Sequence, residues 1–515
     1  MAVMAGLWCA SPAWPQAFVF TEAASGLWNP YSVAPGSLVL IHSTNLAIGP
    51  ATGVVARGFP LITNLAGTSA AVRVGGRVID LYILATEQQW TRALLPSTTP
   101  LGDGTLVVTY NGSAIETLVR VVERQLRLYD GSWCRNATPV ARPSFCVGRA
   151  VQNLGLEGAV ENTLATAAKP GQLIALWGTG LGAVRGDEAA GPVAGHMEIA
   201  GLAVMVGNQR AKVVYAGRSG CCAGMDEIIF EAPEGIEGCK VPVWVRYDNE
   251  GHGTQDVYLS FASGSEVCGH SWGLTEADVR KLAAGATSTA QVVAYNEPGG
   301  WGMAFSTASE MGLPTAGTCV PYSWGGIFAL DAPGGSRKDA GEVVNLQTPT
   351  QRLVARRMEA NFYGSAIAGA VESGQYTMDN GRGGAEVAAF RTTFAVPPRS
   401  FSWTNREQLV ELGEQDDLRV TWSASPATAG FVLVGGLFGV DGEYAGGFLC
   451  YERPEKGEFT VPAEILARAR SEAYRPTELT LFTSFGYWQR ITIPEIDIAE
   501  LVISTAGGTR LLALK

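Results

Sequence analysis

Short runs of apolar and β-branched residues, separated by Gly, Pro and Asn, dominate the first 125 residues. The strand-length runs lie at 38–42, 70–74, 78–84, 90–95, 105–110 and 117–122. Between the last two stands Asn111-Gly112, a dipeptide that favours a two-residue hairpin turn because both positions accept a positive φ. Short strands with turns at this regular spacing predict a β-sandwich.

One stretch of this pattern occurs twice. The first copy reads Ala34-Pro-Gly-Ser-Leu-Val-Leu-Ile-His-Ser-Thr-Asn-Leu-Ala47, and the second reads Lys169-Pro-Gly-Gln-Leu-Ile-Ala-Leu-Trp-Gly-Thr-Gly-Leu-Gly182. Because a repeat indicates one structural unit used twice, we expect a second sandwich with strands at 203–206, 212–215, 227–231 and 241–247. In both copies the apolar run precedes the turn and no helix follows, which favours a core strand over a phosphate-binding loop.

The C-terminal half is also rich in strand-like runs. They lie at 318–324, 326–330, 351–358, 362–368, 374–379, 385–396, 418–422, 430–435, 446–451, 478–483 and 491–493. Three helices are predicted. Thr275-Glu-Ala-Asp278 is a capping box whose helix ends at Gly285, Thr404 opens a second capping box, and Pro462 precedes a helix over 463–474.

These patterns divide the chain into segments, with Pro397-Pro398 as the boundary inside the C-terminal half. A single large jelly roll over 286–515 is the alternative to that division. The expected segments are a truncated signal peptide at 1–17, a sandwich at 18–124, a linker at 125–146, a sandwich at 147–266, a helical connector at 267–285, a sandwich at 286–397, and a sandwich with two short helices at 398–515. The predicted fold class is therefore mostly β and multidomain.

The second copy carries the most specific motif. Its Trp177-Gly178-Thr179-Gly180 turn is followed by Tyr215-Ala-Gly-Arg-Ser-Gly-Cys-Cys-Ala-Gly-Met-Asp-Glu-Ile-Ile-Phe230 and Pro233-Glu-Gly-Ile-Glu-Gly-Cys-Lys-Val-Pro-Val243. This combination resembles the IPT/TIG branch of the E-set immunoglobulin-like fold, in a variant found in secreted proteins of soil bacteria. The first copy is a looser match because it lacks the Cys-Cys loop. The resemblance covers residues 25–265; it implies tandem immunoglobulin-like β-sandwiches in an extracellular protein, and it implies no reaction.

Composition and charge narrow the class of protein. The chain has 515 residues, 64 of them Gly, and a net charge of −11. A nucleic-acid partner is not expected, because a phosphate-binding face needs clustered Lys and Arg. No apolar run reaches the ~20 residues of a membrane helix. Residues 1–17 read as the end of a secretory signal, with small residues that suit cleavage after Ala13 or Ala17. We therefore expect an exported protein without a transmembrane segment.

The cysteines are expected to pair as disulfides, as in other exported proteins. Leaving Cys9 in the signal segment aside, the candidates are Cys134, Cys146, Cys221, Cys222, Cys239, Cys268, Cys319 and Cys450. The four in the second repeat allow three connectivities, and stapling of the Cys221-Cys222 loop to Cys239 and Cys268 is favoured over a redox-active loop. A Cys319–Cys450 bond would tie the two C-terminal sandwiches together. Without C-x-x-C, no metal or cofactor is expected.

Few residues point to catalysis. The four histidines, His42, His196, His252 and His270, occur without a G-x-S-x-G nucleophile elbow. The adjacent carboxylates Asp226-Glu227 and Asp416-Asp417 would point to opposite faces of a strand, so adjacency does not make them an acid–base pair. Asp379-Asn380-Gly381 lacks the spacing of a calcium loop and is interpreted as a hairpin turn.

Aromatic residues offer candidate ligand contacts in the C-terminal half. Tyr322 and Trp324 share one strand face, and Tyr487 and Trp488 lie in a second aromatic segment. Exposed rings of this kind stack on sugars, whereas buried ones form core. We therefore predict a non-catalytic secreted or cell-surface protein that serves in binding, adhesion or spacing, with an extracellular polysaccharide or another surface protein as partner. The alternative is an exported carbohydrate-active enzyme or carbohydrate-binding protein with its site in 286–515.

Overall fold

The computed structural model describes residues 17–21, 32–129, 151–155, 158–249, 252–285, 287–296, 299–308, 313–321, 337–366, 371–426, 428–440, 443–471, 473 and 475–515. This part of the chain is mostly β, as the sequence predicts, and forms two compact units. Unit 1 holds the described residues of 1–151, 175–199 and 214–229. Unit 2 holds those of 152–174, 200–213 and 230–515.

Unit 1 begins with a two-sheet sandwich. Its strands are β1 (Ala17–Thr21), β2 (Ser32–Val33), β3 (Leu38–Ser43), β4 (Val54–Val55), β5 (Asn64–Leu65), β6 (Thr68–Val74), β7 (Arg77–Asp80), β8 (Tyr82–Glu87), β9 (Trp90–Leu94), β10 (Gly102–Tyr110) and β11 (Ser113–Val121). One sheet has the order β1-β3-β9-β8-β4, and the other has the order β2-β11-β10-β6-β5 with β7 beside β6.

This order is that of an immunoglobulin-like sandwich. Strands β3, β9 and β8 form its B-E-D half, and β11, β10 and β6 form its G-F-C half. Strand β11 alternates strictly, and its buried Ile115, Val119 and Val121 enter a core shared with the other sheet. Asn111 and Gly112, both with positive φ, turn β10 into β11. The predicted sandwich and its hairpin are confirmed.

The second repeat follows the same plan. Its strands are β12 (Arg127–Leu128), β13 (Val151–Gly155), β14 (Gly158–Glu161), β15 (Leu173–Thr179), β16 (Gly195–His196), β17 (Ala203–Val206), β18 (Gln209–Arg218), β19 (Asp226–Glu231), β20 (Gly238–Arg246) and β21 (Val257–Phe261). In unit 1, β15, β19 and the later part of β18 are neighbours in the order B-E-D. In unit 2, the early part of β18 is followed by β17, β20 and β21, the order C′-C-F-G. The two copies of the repeated stretch therefore belong to two sets of strands that are arranged in the same order.

Unit 2 also contains a thirteen-stranded sheet. The remaining strands are β22 (Thr287–Asn296), β23 (Gly299–Ala308), β24 (Thr318–Pro321), β25 (Val343–Gln347), β26 (Arg352–Arg357), β27 (Phe362–Ala366), β28 (Gly374–Asp379), β29 (Arg391–Val396), β30 (Ser400–Trp403), β31 (Glu411–Leu412), β32 (Leu418–Ser425), β33 (Phe431–Val440), β34 (Glu443–Glu452), β35 (Glu458–Val461), β36 (Glu478–Ile491) and β37 (Ile498–Leu514). The order is β24-β34-β33-β36-β37-β22-β23-β27-β26-β25-β28-β29, with β31 beside β37, while β30-β32-β35 form a separate sheet. Strands from before and after residue 397 pair in the large sheet, and the division of the C-terminal half at that residue stays a prediction.

Strands β36 and β37 form a long antiparallel pair that is interrupted by a bulge. The sequence analysis places strands at 478–483 and 491–493 and none over 498–514, a segment interrupted by Gly507-Gly508. In the structure the pairing shifts register there and leaves Gly507 as a bulge opposite Thr483 and Ser484. A Cβ at Gly507 would overlap the Phe401 ring. The glycine therefore marks a close approach within a strand.

Two of the three predicted helices are present. Helix α1 (Glu276–Ala283) has the full capping box between Thr275 and Asp278. Helix α2 (Ala463–Ser471) follows Pro462 and buries Ile465, Leu466 and Ala469, as the pattern predicts. No described helix is long and apolar enough to cross a membrane.

The helix predicted from Thr404 is wrong. Only a 3₁₀ turn forms, at Arg406–Gln408, and β31 (Glu411–Leu412) then pairs in parallel with β37. Leu412 is buried in this pairing. Tertiary contacts with the large sheet thus outweigh the local capping signal. Two further 3₁₀ turns lie at Glu359–Asn361 and Pro454–Lys456.

Candidate functional site

The most unusual polar site in unit 1 surrounds Arg218, at the end of β18. Only 1% of this side chain is exposed. Its guanidinium donates from Nε to Asp226 Oδ1 at 2.8 Å, from Nη1 to Glu188 Oε1 at 3.2 Å, and from Nη2 to the Gly182 carbonyl at 2.9 Å. A charge buried this deeply needs opposite charge and hydrogen-bond acceptors around it. Arg218, Asp226 and Glu188 form what we call the Arg218 cluster.

Asp226 is the buried acid of the cluster and begins β19. Its second oxygen accepts the backbone N–H of Leu181 at 2.7 Å. Burial raises the pKa of Asp226, and the guanidinium of Arg218 and the Leu181 N–H oppose that rise. Its neighbour Glu227 lies at an alternate, partly exposed strand position. The two carboxylates therefore lie on opposite strand faces, as the sequence predicts.

Glu188 extends the cluster to the first sandwich. Its Oε2 accepts the backbone N–H of Ser97 at 2.8 Å, and the Ser97 hydroxyl accepts the N–H of Val184 at 3.0 Å. Gly36 closes the site from the same side, with a φ of +74°. A Cβ there would lie 2.5 Å from Ser97 Oγ and 2.9 Å from Arg218 Nη2. The Pro-Gly turn of the first copy therefore abuts an ion cluster built from the second.

Three disulfides lie in the described residues, and the predicted candidates Cys134 and Cys146 lie outside them. The bonds are Cys221–Cys222, Cys239–Cys268 and Cys319–Cys450. Of the three connectivities left open in the second repeat, the chain adopts the one that joins the two adjacent cysteines. The Cys221-Cys222 loop is therefore not stapled to Cys239 and Cys268. Cys319 faces Cys450 directly across β24 and β34, within one sheet.

The predicted ligand-contact aromatics fall into two pairs. Tyr322 and Trp324 lie outside the described residues. Tyr487 is 5% exposed and donates its hydroxyl to Gln489 Oε1 at 2.7 Å. Trp488 is partly buried and packs against two apolar clusters. The structure places the second pair in packing contacts, and ligand contact by any of the four residues stays a prediction.

A surface cleft in unit 2 lies beside α2. Its carboxylates, Glu464, Asp417 and Glu414, all have partners. Glu464 accepts hydrogen bonds from Arg210 at 3.0 Å and from Arg246 at 2.8 Å, and Asp417 accepts the Ala463 N–H at 2.7 Å. Glu414 lies 3.8 Å from Arg470. This arrangement fixes the helix to its surroundings and leaves none of these three carboxylates free for acid–base work.

Arg468 of α2 was not anticipated as a polar contact, although it lies on the inward face with Ile465 and Ala469. It donates to Asp256 Oδ1 and to the Thr254 carbonyl, both at 2.8 Å. Its guanidinium stacks 4.4 Å above the Trp244 ring. The sequence does indicate that Arg468 has a buried partner, since a charged residue in an apolar helical stripe is rarely buried unless it is paired. It does not indicate that the partner is Asp256.

The turn at Asp379-Asn380-Gly381 is structural. Asn380 is 2% exposed; its amide donates to the carbonyls of Ala340 and Ala388 and accepts the N–H of Phe390 at 2.7 Å. In the described residues no three His, Cys, Asp or Glu side chains come together as a metal site. The amide thus closes the loop that the sequence interprets as a turn.

Two of the histidines occupy packed positions. His42 in β3 lies against Trp90, with ring centroids 4.1 Å apart, and burial lowers its pKa. His270 accepts the Trp272 N–H on Nδ1 at 3.3 Å, and burial lowers its pKa to about 4. These contacts favour a neutral imidazole in each case, in a packing role.

Neither a protein-family model nor a curated protein matches the chain. Solved structures that align with it include the I9–I11 tandem of titin (7% identity, TM-score 0.14, 71% of this chain and 95% of that one). A second is the Bacteroides ovatus mixed-linkage glucan utilization locus protein SGBP-B in complex with a mixed-linkage heptasaccharide (9%, 0.15, 86% and 90%). A third is immunoglobulin domains 1–4 of Sidekick-1 (7%, 0.12, 98% and 100%). The assignment to tandem immunoglobulin-like sandwiches rests on the strand order.

Proposed function

We propose that the chain is an exported, non-catalytic modular protein. Its two sandwich repeats, of the IPT/TIG type, act as a stiff spacer, and its C-terminal half binds an extracellular polysaccharide or another surface protein. The observation that carries the proposal is the Arg218 cluster, which joins the first sandwich to strands β15, β18 and β19 of the second repeat within unit 1.

The cluster supports stiffness because of its burial. Domains on one chain move relative to each other by default when the surface between them is small and polar. Here the side chains of Arg218, Asp226 and Glu188 are 1%, 1% and 8% exposed. Rotating the two parts away from each other would break the hydrogen bond from the Ser97 N–H to the Glu188 carboxylate and the bond from the Val184 N–H to the Ser97 hydroxyl. A hydrogen bond to a charged group contributes about 1.5–3 kcal/mol. One relative orientation is therefore favoured.

Export is supported by the three disulfides of the described residues, since disulfides persist in oxidising compartments. The signal-like segment at 1–17 agrees with this. The proposed modules are the sandwiches at 18–124 and 147–266, followed by a connector and the β-rich C-terminal half. The enzyme alternative receives no support from the α2 cleft, where the carboxylates serve ion pairs and a helix N–H.

The spacer proposal is tested by distance measurement on the full chain. Spin labels are introduced as non-canonical amino acids at Leu118 and Val214, which are 71% and 50% exposed and both belong to unit 1. A single narrow distance distribution is expected, and it should broaden in Glu188→Ala, which loses the acceptor of the Ser97 N–H. Asp80→Asn, at an exposed strand position, is the control and should leave the distribution unchanged. A broad distribution in the unmodified cluster would overturn the proposal.

Binding is tested separately with the full chain on glycan arrays and insoluble polysaccharides. Retention on at least one polysaccharide, abolished by the soluble form of the same glycan, supports the carbohydrate partner. Failure on all glycans together with capture by a defined surface protein would move the proposal to a protein partner. Failure with both would overturn the binding half of the proposal and leave the spacer half standing.

A further inference from the structure

The bond between Cys221 and Cys222 has no role in the spacer proposed above. It lies in the loop between β18 and β19, which we call the vicinal loop (residues 219–225). The base of the loop is closed by the Ser219 N–H, which donates to the Met225 carbonyl at 2.8 Å. Cys221 is exposed and Cys222 is partly exposed. The disulfide therefore faces solvent while both ends of its loop are fixed.

The residues that follow the disulfide face inward. Ala223 packs against an apolar cluster of Leu38, Leu61 and Leu94 from the first sandwich. The carbonyl of Gly224 accepts the Thr179 hydroxyl at 2.6 Å. The vicinal loop therefore contacts both repeats inside unit 1. The disulfide is at the surface, and Ala223 and Gly224, which follow it, pack against the residues beneath.

The other two disulfides have the opposite exposure. Cys239 and Cys268 are 9% and 2% exposed, and Cys319 and Cys450 are 1% exposed each. Exchange requires a thiolate to approach a disulfide sulfur along the bond, so access limits its rate. Among the disulfides of the described residues, access therefore favours Cys221–Cys222.

We propose that Cys221–Cys222 is a thiol-exchange site that a dithiol reductant opens while the protein stays folded. A thiolate of the dithiol attacks Sγ of the exposed Cys221, the Sγ–Sγ bond breaks, and Cys222 leaves as a thiolate. The second thiol of the reductant then attacks the mixed disulfide and releases Cys221. Two electrons pass from the dithiol to the protein disulfide, the dithiol becomes a disulfide, and its two protons end on Cys221 and Cys222.

Opening this bond changes the loop as well as the sulfur atoms. The bond closes a ring around one peptide unit and fixes the backbone of both cysteines, which precede Ala223 and Gly224 directly. Without the ring these residues gain conformational freedom, and the contacts of Ala223 with Leu38 and of Gly224 with Thr179 open more often. The site would couple the redox state of its surroundings to the mobility of the vicinal loop.

The test uses the full chain with dithiothreitol as the probe, under native conditions. Free thiols are alkylated at intervals and mapped by mass spectrometry, with peptides that contain Cys9, Cys134 or Cys146 scored separately. Cys221 and Cys222 should be labelled at least about tenfold faster than the cysteines of the two buried disulfides. Hydrogen exchange should rise in residues 219–225 on reduction and stay unchanged in β10 and β11.

A Cys221→Ser/Cys222→Ser double variant is the matched control. It should lack the fast-labelled peptide, remain folded, and show the loop exchange of the reduced protein with or without dithiothreitol. Labelling of Cys221 and Cys222 only in denaturant, or at the same rate as the buried cysteines, would overturn the inference. Either result is independent of the spin-label distances, so this inference and the spacer proposal can fail separately.

Discussion

Leu38 and Thr179 join the two copies of the repeated stretch. The backbone N–H of Leu38, the first residue of β3, donates to the hydroxyl of Thr179, the last residue of β15, at 2.8 Å. Both residues are fully buried. The first residue of the Pro-Gly strand in the first copy is thus hydrogen-bonded to the middle residue of the Gly-Thr-Gly turn in the second copy. A motif that builds a strand in each repeat also forms the contact between them.

Gly36→Ala should destabilise the protein more than Gly171→Ala. The two glycines hold equivalent places in the two copies and have similar φ values, +74° and +78°. A Cβ at Gly36 would crowd Ser97 and Arg218, whereas one at Gly171 meets open space. In each variant the free energy of unfolding should fall by about 1 kcal/mol, because alanine is disfavoured at a left-handed backbone position. In Gly36→Ala it should fall by about 1–3 kcal/mol more, because the added Cβ overpacks the site. Calorimetry of the full chain measures this; equal losses would show that the Arg218 cluster yields without cost.

Arg468→Leu should destabilise unit 2 strongly. It leaves Asp256, whose side chain is 4% exposed, without its cation, and removes the stacking on Trp244. Breaking a buried pair costs about 3–5 kcal/mol. Arg210→Leu is the control, because Arg210 is 59% exposed and shares Glu464 with Arg246; its loss should stay below about 1 kcal/mol. Comparable losses in thermal unfolding would contradict the assignment of Arg468 as a buried anchor.

Glu500→Gln should stabilise the protein at alkaline pH. Burial raises the pKa of Glu500 from 4.5 to about 7. Between these values the unfolded chain has lost the proton and the folded chain keeps it, so stability falls as pH rises from 4.5 to 7. The uncharged glutamine should raise the free energy of unfolding by about 3 kcal/mol at pH 8 and leave it unchanged at pH 4. Denaturant unfolding at both values measures this; Glu443→Gln, at an exposed position, should change neither.

His270 should give the opposite pH dependence. Burial lowers the pKa of His270 from its ordinary value of 6.5 to about 4 in the folded protein, so the unfolded chain takes up a proton first as the pH falls. Stability from this residue is complete above 6.5 and is lost as the pH falls from 6.5 to 4, by about 3 kcal/mol at most. His270→Gln should flatten the fall in that window, whereas the exposed His196→Gln should not. An unaltered pH profile would show that folding does not lower the pKa of His270.

Local pattern was sufficient where a strand either contains a continuous apolar run, as β3 and β17 do, or alternates strictly, as β11 does. Strands β3, β6, β11 and β17 fall where alternating or apolar runs predict them, and Asn111-Gly112 turns as its backbone preference requires. The capping box of α1 is likewise local, since the side chains of Thr275 and Asp278 each accept the backbone N–H of the other. These strands, this turn and this helix start depend on residues within a few positions of each other, so they can be predicted from the sequence.

The parts that the pattern missed depend on residues far apart. Strand β37 was not predicted, and its Gly507 is explained only by distant residues, since a Cβ there would overlap the Phe401 ring and the Thr483 hydroxyl. The helix predicted at Thr404 gives way to β31 because Leu412 finds a buried place beside β37. The disulfide pairing among four cysteines was open because sequence distance does not determine which sulfur atoms meet.

By itself, the sequence determined that this is a mostly-β, tandemly repeated chain of sandwiches, since strand period and turn residues are local features and the repeated stretch can be read directly; the immunoglobulin-like form of the sandwiches was implied by the resemblance to the IPT/TIG branch. Tertiary structure alone decided that Arg218, Asp226 and Glu188 meet in one buried cluster, because Glu188 and Arg218 come together only when the strands that carry them are in place. It also decided that Cys221 pairs with Cys222 and stays exposed, since burial is a property of the whole surface.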